Sequence, residues 1–284
     1  MFAPPAPHGA IDTAAVEAFA YRLRADAERY EVAVGEPRHD DDAFAAKLEL
    51  LTEQRVAVVS FTFGCPPGDA VARVHDAGAD VWVTVTSPDE ATIARDAGAD
   101  ALVVQGYEAG GHRGSFADLD DREEFGLLAL LRLVSARVRL PLIAAGGIAD
   151  GPSVAAVLCA GAAAAQIGSA LMLAPEAGTS DVHRDALRKP GRTALTRAFS
   201  GRQARGIVNR FMEEHGSDAP IAYPDLHHLT TPIRAAARAA GDPEAVNLWA
   251  GQTHALAVDA PAAEIVERIA SDARAVLVSL AGRT

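Results

Sequence analysis

Cysteine and lysine each occur only twice in this 284-residue chain, and both scarcities narrow its chemistry. Cys65 and Cys159 are too few for a disulfide framework and lack C-x-x-C spacing, so a reducing compartment, the cytoplasm, is expected, with both thiols serving as small buried hydrophobes. Lys47 lies on an expected helix and Lys189 in a late loop, neither at the end of a strand, which counts against a Schiff-base mechanism. Positive charge is in deficit: 26 basic against 38 acidic side chains leave a net charge of −12, unsuited to phosphate backbones or anionic lipid. No nucleic-acid or membrane partner is therefore expected. Long apolar runs are missing too. The longest, residues 154–165, is alanine-dominated and too short to span a bilayer, and the opening MFAPPAPHGAID lacks the basic and apolar blocks of a secretion signal. Also absent are G-x-G-x-x-G, the P-loop pattern, G-x-S-x-G and H-E-x-x-H, and no metal centre is expected.

What is present is a repeat. With 49% hydrophobic residues the chain can build a full core, and its length suits two small domains or one barrel of about 250 residues. Short β-branched runs at 56–61, 81–85, 101–104, 142–145 and 163–167 predict strands. Between and after them, 67–77, 88–97, 125–138 and 152–160 carry apolar residues at helical spacing, with Gly78, Gly98 and Gly161 where C-terminal caps belong. Continuous apolar strands fit a parallel sheet buried on both faces, open or closed; without a dinucleotide or P-loop motif the closed (β/α)8 barrel is favoured. Ahead of the repeat stand a helix over about 11–30, a charged turn His39-Asp40-Asp41-Asp42 that caps rather than binds metal, and a helix over about 42–54. After Pro175 the pattern turns to helices and loops, ending in an amphipathic helix over about 262–280. The expected organisation is a partial βα barrel over 1–175, a helical and loop segment over 176–261 above the active face, and a C-terminal helix within 262–284 packed on the barrel. Only five of eight barrel strands are legible, residues 1–3 being the stub of one more.

Loops that follow the strands form the active face of such a barrel. The richest is Gln105-Gly-Tyr-Glu-Ala-Gly-Gly-His-Arg-Gly114, whose glycines let backbone approach a ligand beside His112, an imidazole able to act as base or hydrogen-bond donor. A glycine-rich turn with an incidental surface histidine fits the same letters. Ala144-Ala-Gly-Gly-Ile148 and Gln166-Ile-Gly-Ser169 end two successive strands late in the series, where barrels bind phosphate through backbone N–H groups; tight packing turns are the plainer alternative. His227-His228 reads as structural or solvated, and Trp82 and Trp249 as core.

Together, Val58-Val-Ser-Phe-Thr-Phe-Gly64, Gln105-Gly-Tyr-Glu-Ala-Gly-Gly-His-Arg-Gly-Ser-Phe116, Ala144-Ala-Gly-Gly-Ile-Ala-Asp-Gly151 and Gln166-Ile-Gly-Ser-Ala-Leu171 resemble the nitronate monooxygenase family. So do Phe199-Ser-Gly-Arg-Gln-Ala-Arg-Gly-Ile-Val-Asn-Arg-Phe211 and Leu248-Trp-Ala-Gly-Gln252. The resemblance implies a flavin-binding TIM barrel that uses FMN and O2, without nicotinamide, to oxidise alkyl nitronates, a small polar one such as propionate 3-nitronate being the first substrate expected. It makes His112 the catalytic residue, facing the substrate and flavin N5. Gln105 and Gly110 would line the isoalloxazine, while Gly146, Gly147, Gln166, Ile167, Gly168 and Ser169 would hold the ribityl phosphate. With a neutral nitroalkane His112 would also remove the α-proton; with a nitronate it would orient. Family members begin with two βα units and a third strand, of which Met1-Phe2-Ala3-Pro4 matches only the end. The resemblance therefore predicts a barrel lacking two strands and most of a third, with an incomplete flavin pocket. The alternatives are a flavin-dependent NAD(P)H reductase of the same superfamily (enoyl-acyl-carrier-protein or quinone reductase) and, from another class, a non-catalytic remnant. A homo-oligomer is left open.

Overall fold

In a computed structural model, residues 11–38, 40–118 and 123–282 are described; the expected stub at residues 1–3 and His39 lie outside them. Two helices, α1 (Thr13–Arg22) and α2 (Arg24–Arg29), stand in place of the single one expected over 11–30, parted at Leu23. Before α3 (Phe44–Glu53), Asp40 and Asp41 accept hydrogen bonds from the N–H groups of Asp42 and Ala43, and Asp42 pairs with Lys47. The repeat then runs β1 (Val58–Phe61), α4 (Gly68–Asp76), β2 (Asp80–Val85), α5 (Pro88–Asp96), β3 (Ala101–Gln105), β4 (Gly111–His112), α6 (Leu127–Arg137), β5 (Leu142–Ala145), α7 (Gly151–Cys159) and β6 (Ala164–Gln166). Helix starts follow from local chemistry. Ser87 Oγ accepts from Glu90 N–H ahead of Pro88, and Asp150 and Ser153 form a reciprocal capping box on α7.

Five of these strands form one parallel sheet in the order β1-β2-β3-β5-β6, so each strand lies beside its neighbour in the series. A doubly wound sheet would reverse direction partway; an unbroken order with a helix after each strand is that of a (β/α)8-type barrel. Register alternates the faces: Val81, Val83, Val85, Leu102, Val104, Leu142 and Ala144 point out to the helices, whereas Ala101, Val103, Ile143 and Ala145 form a small inner cluster against Trp82. Helices α3 to α7 close the outer layer with Leu48, Val74, Ala94, Leu130, Leu131 and Val157, the larger of which each stabilise by about 1.5–3 kcal/mol on burial. Cys65 is only half-buried beside this layer and Cys159 is exposed, contrary to the expectation for both.

Beyond Pro175 come α8 (Asp181–Leu187), β7 (Thr193–Thr196), β8 (Ala204–Ile207), α9 (Arg210–His215), α10 (Asp225–Ala239) and α11 (Ala262–Ala281). Strands β7 and β8 correct the reading of this region as helices and loops: with β4 they make an antiparallel sheet, β4-β8-β7. A second core gathers Phe199, Phe211, Leu226, Leu229, Ile233 and Leu248 with Val16, Phe19 and Leu23 of the first helices, so the 176–261 segment is not packed alone. Helix α11 lies on α7, where a side chain at Gly151 would collide with Asp272 and Ala273. Among the described residues no helix is long and apolar enough to cross a membrane.

Candidate functional site

At the C-terminal ends of the parallel strands opens a cavity of about 260 Å³. Its walls come from Thr62 and Phe63 after β1, Thr84 of β2, Val103 and Gln105 of β3, the turns after β5 and β6, and the segment around Gly251 and Thr253. The cavity brings together His112, Gln105, Gly110, Gly146, Gly147, Gln166, Gly168 and Ser169. Ile167 is not on its wall, because the strand alternation turns that side chain outward against the cluster of Ala174, Ile265 and Ile269.

The loop that carries His112 is held from inside. Arg113, almost wholly buried, donates to the carbonyl oxygens of Gln105 and Gly106, to Gln105 Oε1 at 3.1 Å and to Glu124 at 3.0 Å. Gln105 Oε1 also accepts from Gly114 N–H at 2.8 Å, and its Nε2 donates to His112 O at 3.1 Å. The Gln105 amide thus lines the cavity while clamping the loop across its own turn. Glu108 accepts from Leu127 N–H, tying the loop to the start of α6. Gly110 packs directly on the Ala250–Gly251 backbone, where a Cβ would overlap Gly251 N.

His112 sits at the end of β4, paired with Ala204 of β8, and its Nε2 lies 2.8 Å from Ser200 Oγ. Three rings surround it edge-on: Phe63 at 5.9 Å, Tyr223 at 5.7 Å and Trp249 at 5.5 Å between centroids. Phe63 holds a left-handed backbone (φ 71°), at a cost of order 1–3 kcal/mol, and the Arg202 guanidinium lies 4.1 Å over its ring. Burial, reinforced by the charges of Arg202, His227 and Arg234, depresses the His112 pKa to about 4. The imidazole is therefore neutral at neutral pH, as a proton acceptor must be. His227 is likewise lowered to about 4, by burial and by Arg234.

Both histidines have an ordinary pKa of 6.5 in the unfolded chain, which therefore binds more protons than the folded one between pH 6.5 and about 4. Stability is expected to fall as pH drops through that window and to be fully recovered above it. Thermal midpoints measured across the window check this; a flat profile contradicts the burial assigned to His112.

On the same cavity wall, Gly146 (φ 109°) and Gly147 (φ 67°) turn the chain after β5, and Gly168 opens onto free space after β6. Among the described residues the N–H groups of Gly147 and Gly168 have no acceptor, so both are available to an anion. Ser169 Oγ accepts from Gly251 N–H at 2.8 Å and so holds the closing segment in place.

Phe63, Tyr223, Ser200 and Arg202 were not singled out from sequence, and Trp249 was read as core. The Phe199–Phe211 and Leu248–Gln252 stretches carried the resemblance, but nothing in their spacing said which side chain would reach His112. His227 and His228 pair with Arg234 and with Arg38 and Asp40, a structural role. Asp26, Glu214 and His215 converge within 4.8 Å, but Arg210 donates to both carboxylates and fills the place of a cation.

A family model described as nitronate monooxygenase matches residues 6–272. A nitronate monooxygenase of Pseudomonas aeruginosa is 44% identical over 232 residues, a match covering 80% of this chain and 66% of that protein's length. One of Paraburkholderia phytofirmans is 42% identical over 231 residues, covering 79% of this chain and 63% of that protein. The chain thus spans about two thirds of the length of these relatives. Among solved structures, a nitroalkane oxidase from Streptomyces ansochromogenes superposes with a TM-score of 0.95 at 46% identity, over 98% of this chain and 80% of that one. FabK from Thermotoga maritima does so with a TM-score of 0.70 at 28% identity, over 85% and 75%.

Proposed function

Because the chain belongs to the nitronate monooxygenase family, we propose that it is a cytoplasmic flavoenzyme that holds FMN in this cavity and oxidises alkyl nitronates, and nitroalkanes after deprotonation, with O2. The observation that carries the reading is a neutral imidazole in a glycine-lined cavity that also presents two unpaired N–H groups. The residues fit the cofactor. Gly147 and Gly168 suit its phosphate, the space beside Gly168 being open, and Val103, Ala109 and Ala145 offer apolar lining to the isoalloxazine. FMN, when bound, supplies the two-electron oxidation and the reaction with O2.

His112 takes the α-proton of a neutral nitroalkane; facing a nitronate, it orients the nitro oxygens. Phe63, Tyr223 and Trp249 pack edge-on against the imidazole and, by limiting its hydration, favour the uncharged ring. The nearby Arg202 and Arg234 give a chain of net charge −12 a locally positive site, favourable to an anionic nitronate. The 176–261 segment supplies Tyr223, Trp249 and Ser200 and covers the active face.

The test is the absorbance spectrum of the purified chain with FMN, followed by anaerobic addition of a nitronate and then of NADH. A bound flavin that bleaches with nitronate and ignores NADH is expected. Bleaching by NADH instead would favour the reductase reading, to which the likeness to FabK lends weight, and failure to bind flavin would overturn both.

A further inference from the structure

We propose that Ser200 is a positioning residue that fixes His112 in the tautomer protonated on Nε2, leaving the Nδ1 lone pair as the base presented to the cavity. Ser200 Oγ lies between two groups, 2.8 Å from His112 Nε2 and 3.2 Å from Arg202 O. Ser200 Oγ donates to Arg202 O, a carbonyl that can only accept, and that bond takes up its single hydrogen. The hydroxyl oxygen is then left to accept, and the hydrogen in its short contact with the ring is borne by Nε2. His112 Nδ1 has no hydrogen-bond partner among the described residues, is not among the buried orphaned atoms, and belongs to a side chain on the cavity wall.

The hydroxyl cannot readily turn away. Ser200 is 1% exposed, and the backbone on both sides of it is pinned. Phe199 O accepts from Thr230 Oγ1 at 2.6 Å, and Gly201 N–H donates to Arg197 O while its carbonyl accepts from Ala222 N–H. Arg202 is anchored by donating to Arg113 O and Ser115 O, which fixes the carbonyl that orients the hydroxyl.

The inference rests on the reading of His112 as a base. In that step the α C–H bond of the nitroalkane breaks, its electron pair stays in the nitronate, and the proton passes to Nδ1, giving an imidazolium whose Nε2–H still donates to Ser200. Alanine at position 200 would strand the buried Nε2–H without an acceptor and shift the tautomer ratio toward Nδ1–H by about tenfold or more.

The experiment is ring 15N NMR of the histidine-labelled chain, without added ligand, for the wild type, Ser200→Ala and Ser200→Thr, with His112→Asn to assign the signal. The Nε2–H pattern in the wild type, lost in Ser200→Ala and restored in Ser200→Thr, is the expected result. A wild type protonated on Nδ1, or an unchanged Ser200→Ala spectrum in a chain that melts normally, would overturn the proposal. With FMN bound, Ser200→Ala should lower turnover of a neutral nitroalkane more than that of its nitronate, and Ser200→Thr should recover the ratio; equal losses would also overturn it. A wild type that turns over neither substrate would refute the functional reading, while the spectra would still decide the tautomer.

Discussion

Replacing His112 with asparagine is expected to leave a folded chain that still binds flavin yet turns over neutral nitroalkanes about 10²–10⁴-fold more slowly. Asparagine can keep a hydrogen bond toward Ser200, and the cradle at Gly147 and Gly168 is built from the backbone of the turns after β5 and β6, so neither fold nor phosphate binding depends on the ring. What is lost is an acceptor that stays neutral down to about pH 4 within a cage of three aromatic side chains. The preformed nitronate needs no proton removed, so its oxidation should fall much less. Steady-state rates on a matched nitroalkane and nitronate pair give the ratio directly; equal rates for mutant and wild type on the nitroalkane would remove His112 from the chemistry.

The second large effect is on stability. Arg113→Met should lower the folding free energy by about 3–5 kcal/mol, since it leaves the Glu124 carboxylate without its buried donor and takes one of two donors from Gln105 Oε1 and from the Gly106 carbonyl. That corresponds to a fall in melting midpoint of roughly 10 °C for a chain of this size. The loss should be felt first at the site, because the same guanidinium staples the two ends of the Gln105–Gly114 turn that presents His112. Flavin affinity should therefore weaken at temperatures where the helices remain intact. Thermal melts followed by far-ultraviolet circular dichroism and by flavin fluorescence separate the two; coincident, wild-type-like transitions would show that the turn stands without its arginine.

Much of the barrel was legible because most βα units declare themselves within about twenty-five residues, as an apolar strand, a turn and an amphipathic helix closed by glycine, the longer unit that carries His112 ending instead at Val138. The five parallel strands fall within two residues of their expected bounds. The antiparallel trio was not legible. Strand β4 has two residues and β8 reads Ala-Arg-Gly-Ile, too short and too polar to alternate, and their pairing joins positions some ninety residues apart. The candidate site divides in the same way. His112 and the glycine turns follow strands and could be found by position, whereas Ser200 and Tyr223 reach His112, and Arg202 reaches Phe63, from beyond the barrel repeat. Leu23 shows the limit of periodicity from the other side: one residue in the bridge between α1 and α2 ends a helix that the apolar spacing carries through.

The second core has a consequence for how the chain acquires its structure. Its ties join distant parts of the sequence: Asp26 meets His215 across 189 residues, and Tyr30 donates to Asp242 across 212. The parallel strands, by contrast, pair with neighbours in the series. On a ribosome the βα units can therefore assemble as they emerge, while α1 and α2, made early, must wait with Phe19 and Leu23 uncovered until α9 and α10 are complete. The rings that flank His112 belong partly to this late segment, so the surroundings that lower its pKa are complete only in the final stage of folding.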